Sequence, residues 1–396
     1  MTHTTNYRIL VAIAFLQGMV FYGPVATLYR RAYGLDIQGL FLIESISWIA
    51  TIVLEAPWGR FADRHGYRLT LLIGNAVFLG SKLVFSAASG FSGFLIERLA
   101  LSVSLAALSG CSEAMVYRSA GPVAAERAFG RWNAASGAGL FLAALASPLL
   151  YSISLRVAAY GTIVPYAAAF FCSLFLVDLP EAVSENPATG SAARGLRAAL
   201  VSLAGDTRLL LFLAAAAVAG EAGHAATVFL APLQYERSGI PVAAFGLLFA
   251  ALQGAGLAAA GSGQLSATLG RGSALKVLLL LESAGLATLA VSTSGVVSIV
   301  ALVVVAVAVA MFRPLSSAFQ NERVRGAERA TALSVNAMVV EVAAAAVNIF
   351  VGRAAAAGLP VVFGFLALAV AVLSSVVGIA DRQARGGLPG ATVPPV

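Results

Sequence analysis

Glu221 and His224 stand three positions apart inside an otherwise apolar run, "LAAAAVAGEAGHAATVFL", residues 213–230. At i and i+3 on a helix they share a face. A carboxyl taken out of water favours its neutral form, and imidazole exchanges protons near neutrality. The pair therefore has the chemistry of proton uptake and release; its plainer reading is a structural hydrogen-bonded pair. Glu341 is the next acid of this kind. Glu44, Glu55, Lys82, Glu97, Arg98, Glu113 and Glu282 also fall in or beside apolar runs, and a charge at membrane depth costs enough to make each a functional suspect. Gln17, Tyr22, Glu44, Gln253 and Asn348 are the candidate cavity-lining groups, with glue between helices as the alternative role for the uncharged ones.

A second cluster is "PWGRFADRHGYRL", residues 57–69, with Arg60, Asp63, Arg64, His65 and Arg68 within nine positions. Orientation in a membrane explains the arginines. It does not explain Asp63, an anion of the kind favoured near the N-terminus of a neighbouring helix. Gly59 and Gly66 allow a tight turn and close helix approach.

Other chemistries find no support. There is no G-x-x-x-x-G-K-[ST] phosphate loop, no H-E-x-x-H, no nucleophile elbow and no Cys/His cluster, so neither an enzyme nor a cofactor or metal is expected. Cys111 and Cys172 sit in apolar runs as small buried residues. The net charge of +7 lies in short loops and not on one basic face, which argues against nucleic acid.

The elements that must position these residues follow from composition. Hydrophobic residues make up 60% and charged residues 11% of 396, and mean hydropathy is +0.90: a membrane protein. Runs of about twenty apolar residues fall at 8–29, 39–58, 69–88, 93–115, 132–151, 157–177, 208–230, 243–263, 274–292, 296–316, 332–352 and 359–380. The expected fold class is all-α, with twelve transmembrane helices. Of the 25 lysines and arginines, Arg30, Arg31, Arg156, Arg237 and Arg353 fall on one side and Lys82 and Arg98 inside spans, leaving 18 on the other. That asymmetry places both termini in the cytoplasm. The run 8–29 reads as a first span and not a signal peptide.

The connector 178–207 separates an N-terminal bundle, 1–177, from a C-terminal bundle, 208–380, and its "LRAALVSLAG" has the spacing of an amphipathic surface helix. The tail 381–396 is expected to be disordered. Gly59-x6-Gly66 recurs as Gly263-x6-Gly270, and "AERA" at 125–128 recurs at 327–330. These offsets indicate two parallel six-helix repeats.

"GRFADRHGYR", Gly59 to Arg68, resembles motif A of the major facilitator superfamily, G-x-L-A-D-R-x-G-R-K between helices two and three. Gly59, Asp63, Arg64, Gly66 and Arg68 match it. "LEAP" (54–57) and "LSGCSEAMVY" (108–117, containing Glu113) resemble a bacterial branch of drug-efflux type. The resemblance implies a latch on the inner side between Asp63 and helix eleven, starting near Thr331, with Glu113 and Arg131 as partners. The second copy has Ala267, Thr268 and Gly272 in place of Asp63, Arg64 and Arg68, so the latch is expected on one half. "LIERLALSVSLAA" (95–107) partly resembles motif B, which would give Arg98 a part in proton coupling. Ala143-x3-Ser147-Pro148 is a trace of the exporter motif C, with Tyr151 replacing its last glycine. In the superfamily, helices three and nine are peripheral, which makes Lys82 and Glu282 candidates for snorkelling or local pairing.

The expectation is a monomeric, multi-pass carrier of the bacterial inner membrane. It would move a small organic solute by alternating access and export it in exchange for protons. A proton-coupled nutrient importer is the alternative, and a membrane sensor or membrane-embedded enzyme on the same fold is the alternative from another class.

Overall fold

The computed structural model describes residues 2–121, 123–178, 206–323 and 329–386. The amphipathic stretch expected in the connector and residues 387–396 lie outside them. Among the described residues there is helix and no strand. Eleven helical stretches are long and apolar enough to cross a membrane, and a shorter apolar one covers Leu359–Ser375. Helices are what such composition must form, because lipid offers backbone N–H and C=O groups no partner.

The chain runs α1 (Thr2–Gly18), α2 (Ala26–Ala32), α3 (Ile37–His65), α4 (Tyr67–Ala87), α5 (Gly90–Leu108), α6 (Cys111–Ala120), α7 (Ala125–Tyr151) and α8 (Leu155–Leu174). It resumes with α9 (Thr207–His224), α10 (Ala231–Arg237), α11 (Phe245–Gly254), α12 (Ser262–Leu269), α13 (Arg271–Val291), α14 (Gly295–Arg323), α15 (Arg329–Ala356) and α16 (Leu359–Gly386). Local sequence sets several starts. Asp36 accepts from the Gly39 amide at 2.8 Å, Ser154 from Val157 at 3.2 Å and Asp206 from Leu209 at 3.0 Å, each satisfying an orphan first-turn donor.

The repeat extends well beyond the two sequence matches. Helical segments begin at Ile37 and Val242, Tyr67 and Arg271, Gly90 and Gly295, and Leu155 and Leu359, every pair 204 or 205 positions apart. Gly66 and Gly270 link successive helices with nearly the same backbone, φ 85° ψ 158° and φ 77° ψ 146°, a region that is essentially glycine's alone.

Contacts divide the chain into two units that differ from the sequence halves. One holds residues 1–187, 228–253 and 348–356; the other holds 188–227, 254–347 and 357–396. In the first, α4 packs on α5 and α8, α3 on α5, and α1 on α7 and α8. In the second, α13 packs on α16 and α14, and α14 on the 3-10 segment Ala255–Gly261. Large apolar side chains such as Val53 (64% exposed) and Leu149 (74%) face outward, as lipid-facing surface does.

Three expectations change. The charged stretch 59–65 is helix and not loop: α3 continues through Pro57 to His65, and Gly66 alone makes the turn. Arg30 belongs to the first span, Thr4–Ala32, and is buried. Residues 381–386 of the expected tail are the end of α16.

Candidate functional site

The first unit buries a polar core drawn from five spans. The Tyr166 hydroxyl donates to the carbonyl of Gln17 at 2.7 Å, and the Gln17 amide donates to Asn75 at 2.6 Å. Asn75 in turn donates to the Leu71 carbonyl at 2.7 Å. Next to them, Lys82 is 4% exposed and donates to the Tyr22 hydroxyl at 3.1 Å. Its ammonium lies 4.9 Å from the Phe78 ring centre and 5.0 Å from that of Tyr166, within cation–π range. Of the two roles expected for Lys82, snorkelling or local pairing, the structure shows local pairing, within an aromatic box.

Two ion pairs complete this core. Arg98 of α5 bridges Glu44 of α3. Arg30 of α2 lies 3.8 Å from Glu97, which is 1% exposed and whose two oxygens have no hydrogen-bond partner. Neighbours in sequence, Glu97 and Arg98 point to different helices, as their 100° separation demands. The structure thus brings Gln17, Tyr22, Glu44 and Arg98 into one region.

In the second unit Glu221 is buried and His224 half-buried at the end of α9, and a π segment, Ala225–Leu230, follows at once. The first span is interrupted at the repeat-related place, between Gly18 and Ala26. Interrupted spans leave backbone groups free at membrane depth, and such places tend to carry function. Glu341 is half-buried and Asn348 fully buried, while Gln253 is exposed at the end of α11.

The motif-A residues separate into two roles. Arg68 donates to the Leu176 carbonyl at 2.6 Å, and Asn6 exchanges hydrogen bonds of 2.7 and 3.0 Å with Val177. Both hold the end of the sixth span, whose last carbonyls lack helical partners. Asp63, Arg64, Glu113 and Arg131 are exposed, and Asp63 makes no hydrogen bond or ion pair among the described residues. The side chain of Thr331 lies outside those described. A Cβ at Gly59 would meet nothing within 4 Å, so Gly59 makes no close approach in this conformation.

The motif-C trace does make one. A Cβ at Gly246 would collide with the Ala144 carbonyl. The Tyr151 hydroxyl donates to Val242 O at 2.9 Å and accepts from the Gly246 amide at 3.2 Å. Thr27 donates to Phe229 O at 2.8 Å, and Arg31 pairs with Glu236 at 3.0 Å.

The sequence profile of the Major Facilitator Superfamily matches residues 9–348. The chain belongs to that superfamily. No curated protein matches it in sequence. Among solved structures, the superfamily member is similar to the nucleoside transporter NupG, with a TM-score of 0.81 and 15% identity over 95% of this chain and 99% of that one. It is also similar to a bacterial homolog of the human lysosomal transporter Spinster, in an inward-facing and unoccupied conformation. The TM-score there is 0.69, with 15% identity over 96% of each chain. At such identities the likeness carries the fold. It points to no drug-efflux branch in particular; superfamily membership and the many apolar helices make the chain a multi-pass membrane transporter.

Asn75, Phe78, Tyr166 and Arg30 are site residues that the sequence does not single out. Asn75, Phe78 and Lys82 stand at i, i+3 and i+7 on one span, a stripe that helical spacing makes visible. Tyr22 and Tyr166 come from other spans, and no spacing rule joins them to it.

Proposed function

We propose that this chain is a proton-coupled secondary transporter of a small organic solute, working by alternating access through twelve spans with both termini in the cytoplasm. Support for the span number comes from the eleven long apolar helices, the shorter Leu359–Ser375 helix and the common register of helix starts. The observation that carries the coupling is the set of ionisable side chains held at membrane depth: the Arg98–Glu44 bridge, Glu97 beside Arg30, and Glu221 with His224. Keeping charges there is costly, and ionisable residues kept there mark substrate and ion pathways and proton relays.

Export is the preferred direction. The motif-C trace lies against Gly246, and its Tyr151 ties α7 to the start of the eighth span, where a seal against the outside would be needed. Asp63 then serves as the inner latch of the opposite state. A bacterial inner membrane fits the arginine distribution. Import of a polar nutrient is the second reading, favoured by the buried Gln17–Asn75–Tyr166 chain, which suits a hydrogen-bonding solute better than an apolar drug.

The test of the coupling residues is solute flux in proteoliposomes under an imposed pH gradient. Glu221→Gln is expected to transport without responding to the gradient. Full gradient dependence in that variant would remove Glu221 from the mechanism.

A further inference from the structure

The ninth span carries a carboxyl that the reading above does not use. Glu282, at the middle of α13, is 1% exposed, and its Oε1 has no hydrogen-bond partner. It faces Gly223 of α9: a Cβ built at Gly223 would lie 3.4 Å from Oε1 and would collide with Val309 of α14. The absence of a side chain at 223 is what lets α9 close over the carboxyl. Ser283, its neighbour, donates instead to the Ala367 carbonyl of α16 at 2.8 Å.

The charged groups on the surrounding elements are few. α9 contributes Glu221 and His224, on either side of Gly223, and Arg208 at its far end; α14 contributes Arg313, one turn beyond Val309, and Glu322 and Arg323 at its cytoplasmic end. Glu322 is engaged by Arg271 of α13. α12 and residues 359–380 of α16 contribute no ionisable side chain. Among the described residues, an ionised Glu282 would thus sit in an apolar interior with no counter-ion within ion-pair distance and no hydrogen bond to Oε1, an arrangement proteins avoid by neutralising the group.

We propose that Glu282 is a proton-binding site of this transporter: it holds a proton while α9 covers it and releases it to water, as carboxylate and proton, when α9 moves away. The π segment that begins at Ala225 gives α9 a place to shift, since its hydrogen-bond register differs from that of the helix before it. The inference rests on the proton-coupled reading, but its test needs no transported solute.

The experiment is infrared difference spectroscopy of the purified full chain in lipid nanodiscs, stepping pH in light and heavy water with protons as the only probe. The wild type is expected to show the C=O band of a buried, protonated carboxyl that shifts in heavy water and fades as pH rises. Glu282→Gln should lose that band, Glu282→Asp should move it, and Glu221→Gln should keep it. Persistence of the band in Glu282→Gln, or a band that never responds to pH, overturns the assignment. The coupled-transport reading fails separately, by flux that ignores a pH gradient in the wild type.

Discussion

Lys82 donates a hydrogen bond to the hydroxyl of Tyr22 at 3.1 Å, so a lysine of the third span is tied to the residue where the first span is interrupted. Its ammonium has aromatic faces around it and, among the described residues, no carboxylate within ion-pair distance. A buried charge without a counter-ion is costly to keep out of water, so an apolar group of similar length in its place relieves that cost. Lys82→Met is therefore expected to keep a thermal midpoint at or above the wild type while losing transport. A variant that is equally stable and fully active would reduce Lys82 to packing.

The Arg98–Glu44 bridge behaves differently, because removing one partner leaves the other charge buried. Glu44→Gln and Arg98→Gln should each cost about 3 kcal/mol, and the double variant should recover part of the loss. Chemical unfolding of the four proteins in a double-mutant cycle measures this. Additive losses would mean that the two side chains do not couple.

Gly66 and Gly270 test the repeat at the level of the backbone. Either one changed to alanine places a Cβ in a conformation that costs about 1–3 kcal/mol, and the two losses should be similar because the two turns have nearly the same φ and ψ. Thermal denaturation of Gly66→Ala and Gly270→Ala decides it; a negligible effect at either position would contradict the equivalence.

The architecture was legible where hydropathy alone decides it. Span positions and the doubled Gly-x6-Gly pattern follow from one-dimensional spacing, and the helix starts bear out the offset. The end of α3 was less legible, since charged side chains read as loop although arginine is a good helix former. The site was harder still. Glu221 and His224 are visible as a pair on one helix, but the Lys82 box joins three spans and the cover over Glu282 depends on a glycine of another. Pairings across spans leave no periodicity in the sequence.

Asp63 is exposed and unpaired among the described residues in this conformation, so Asp63→Asn should change stability by no more than about 0.5 kcal/mol. Transport should nevertheless fall, because the carboxylate is proposed to act in the opposite state. Near-normal flux in a well-folded Asp63→Asn protein would sink the latch.

The central claim, solute movement driven by protons, is tested most directly by flux of the wild-type chain in proteoliposomes, screened across compound classes with and without an imposed pH gradient. For at least one compound class, the account predicts transport that accelerates when the gradient is applied and collapses when a protonophore dissipates it. A confirmed substrate whose flux is the same with and without the gradient would contradict it.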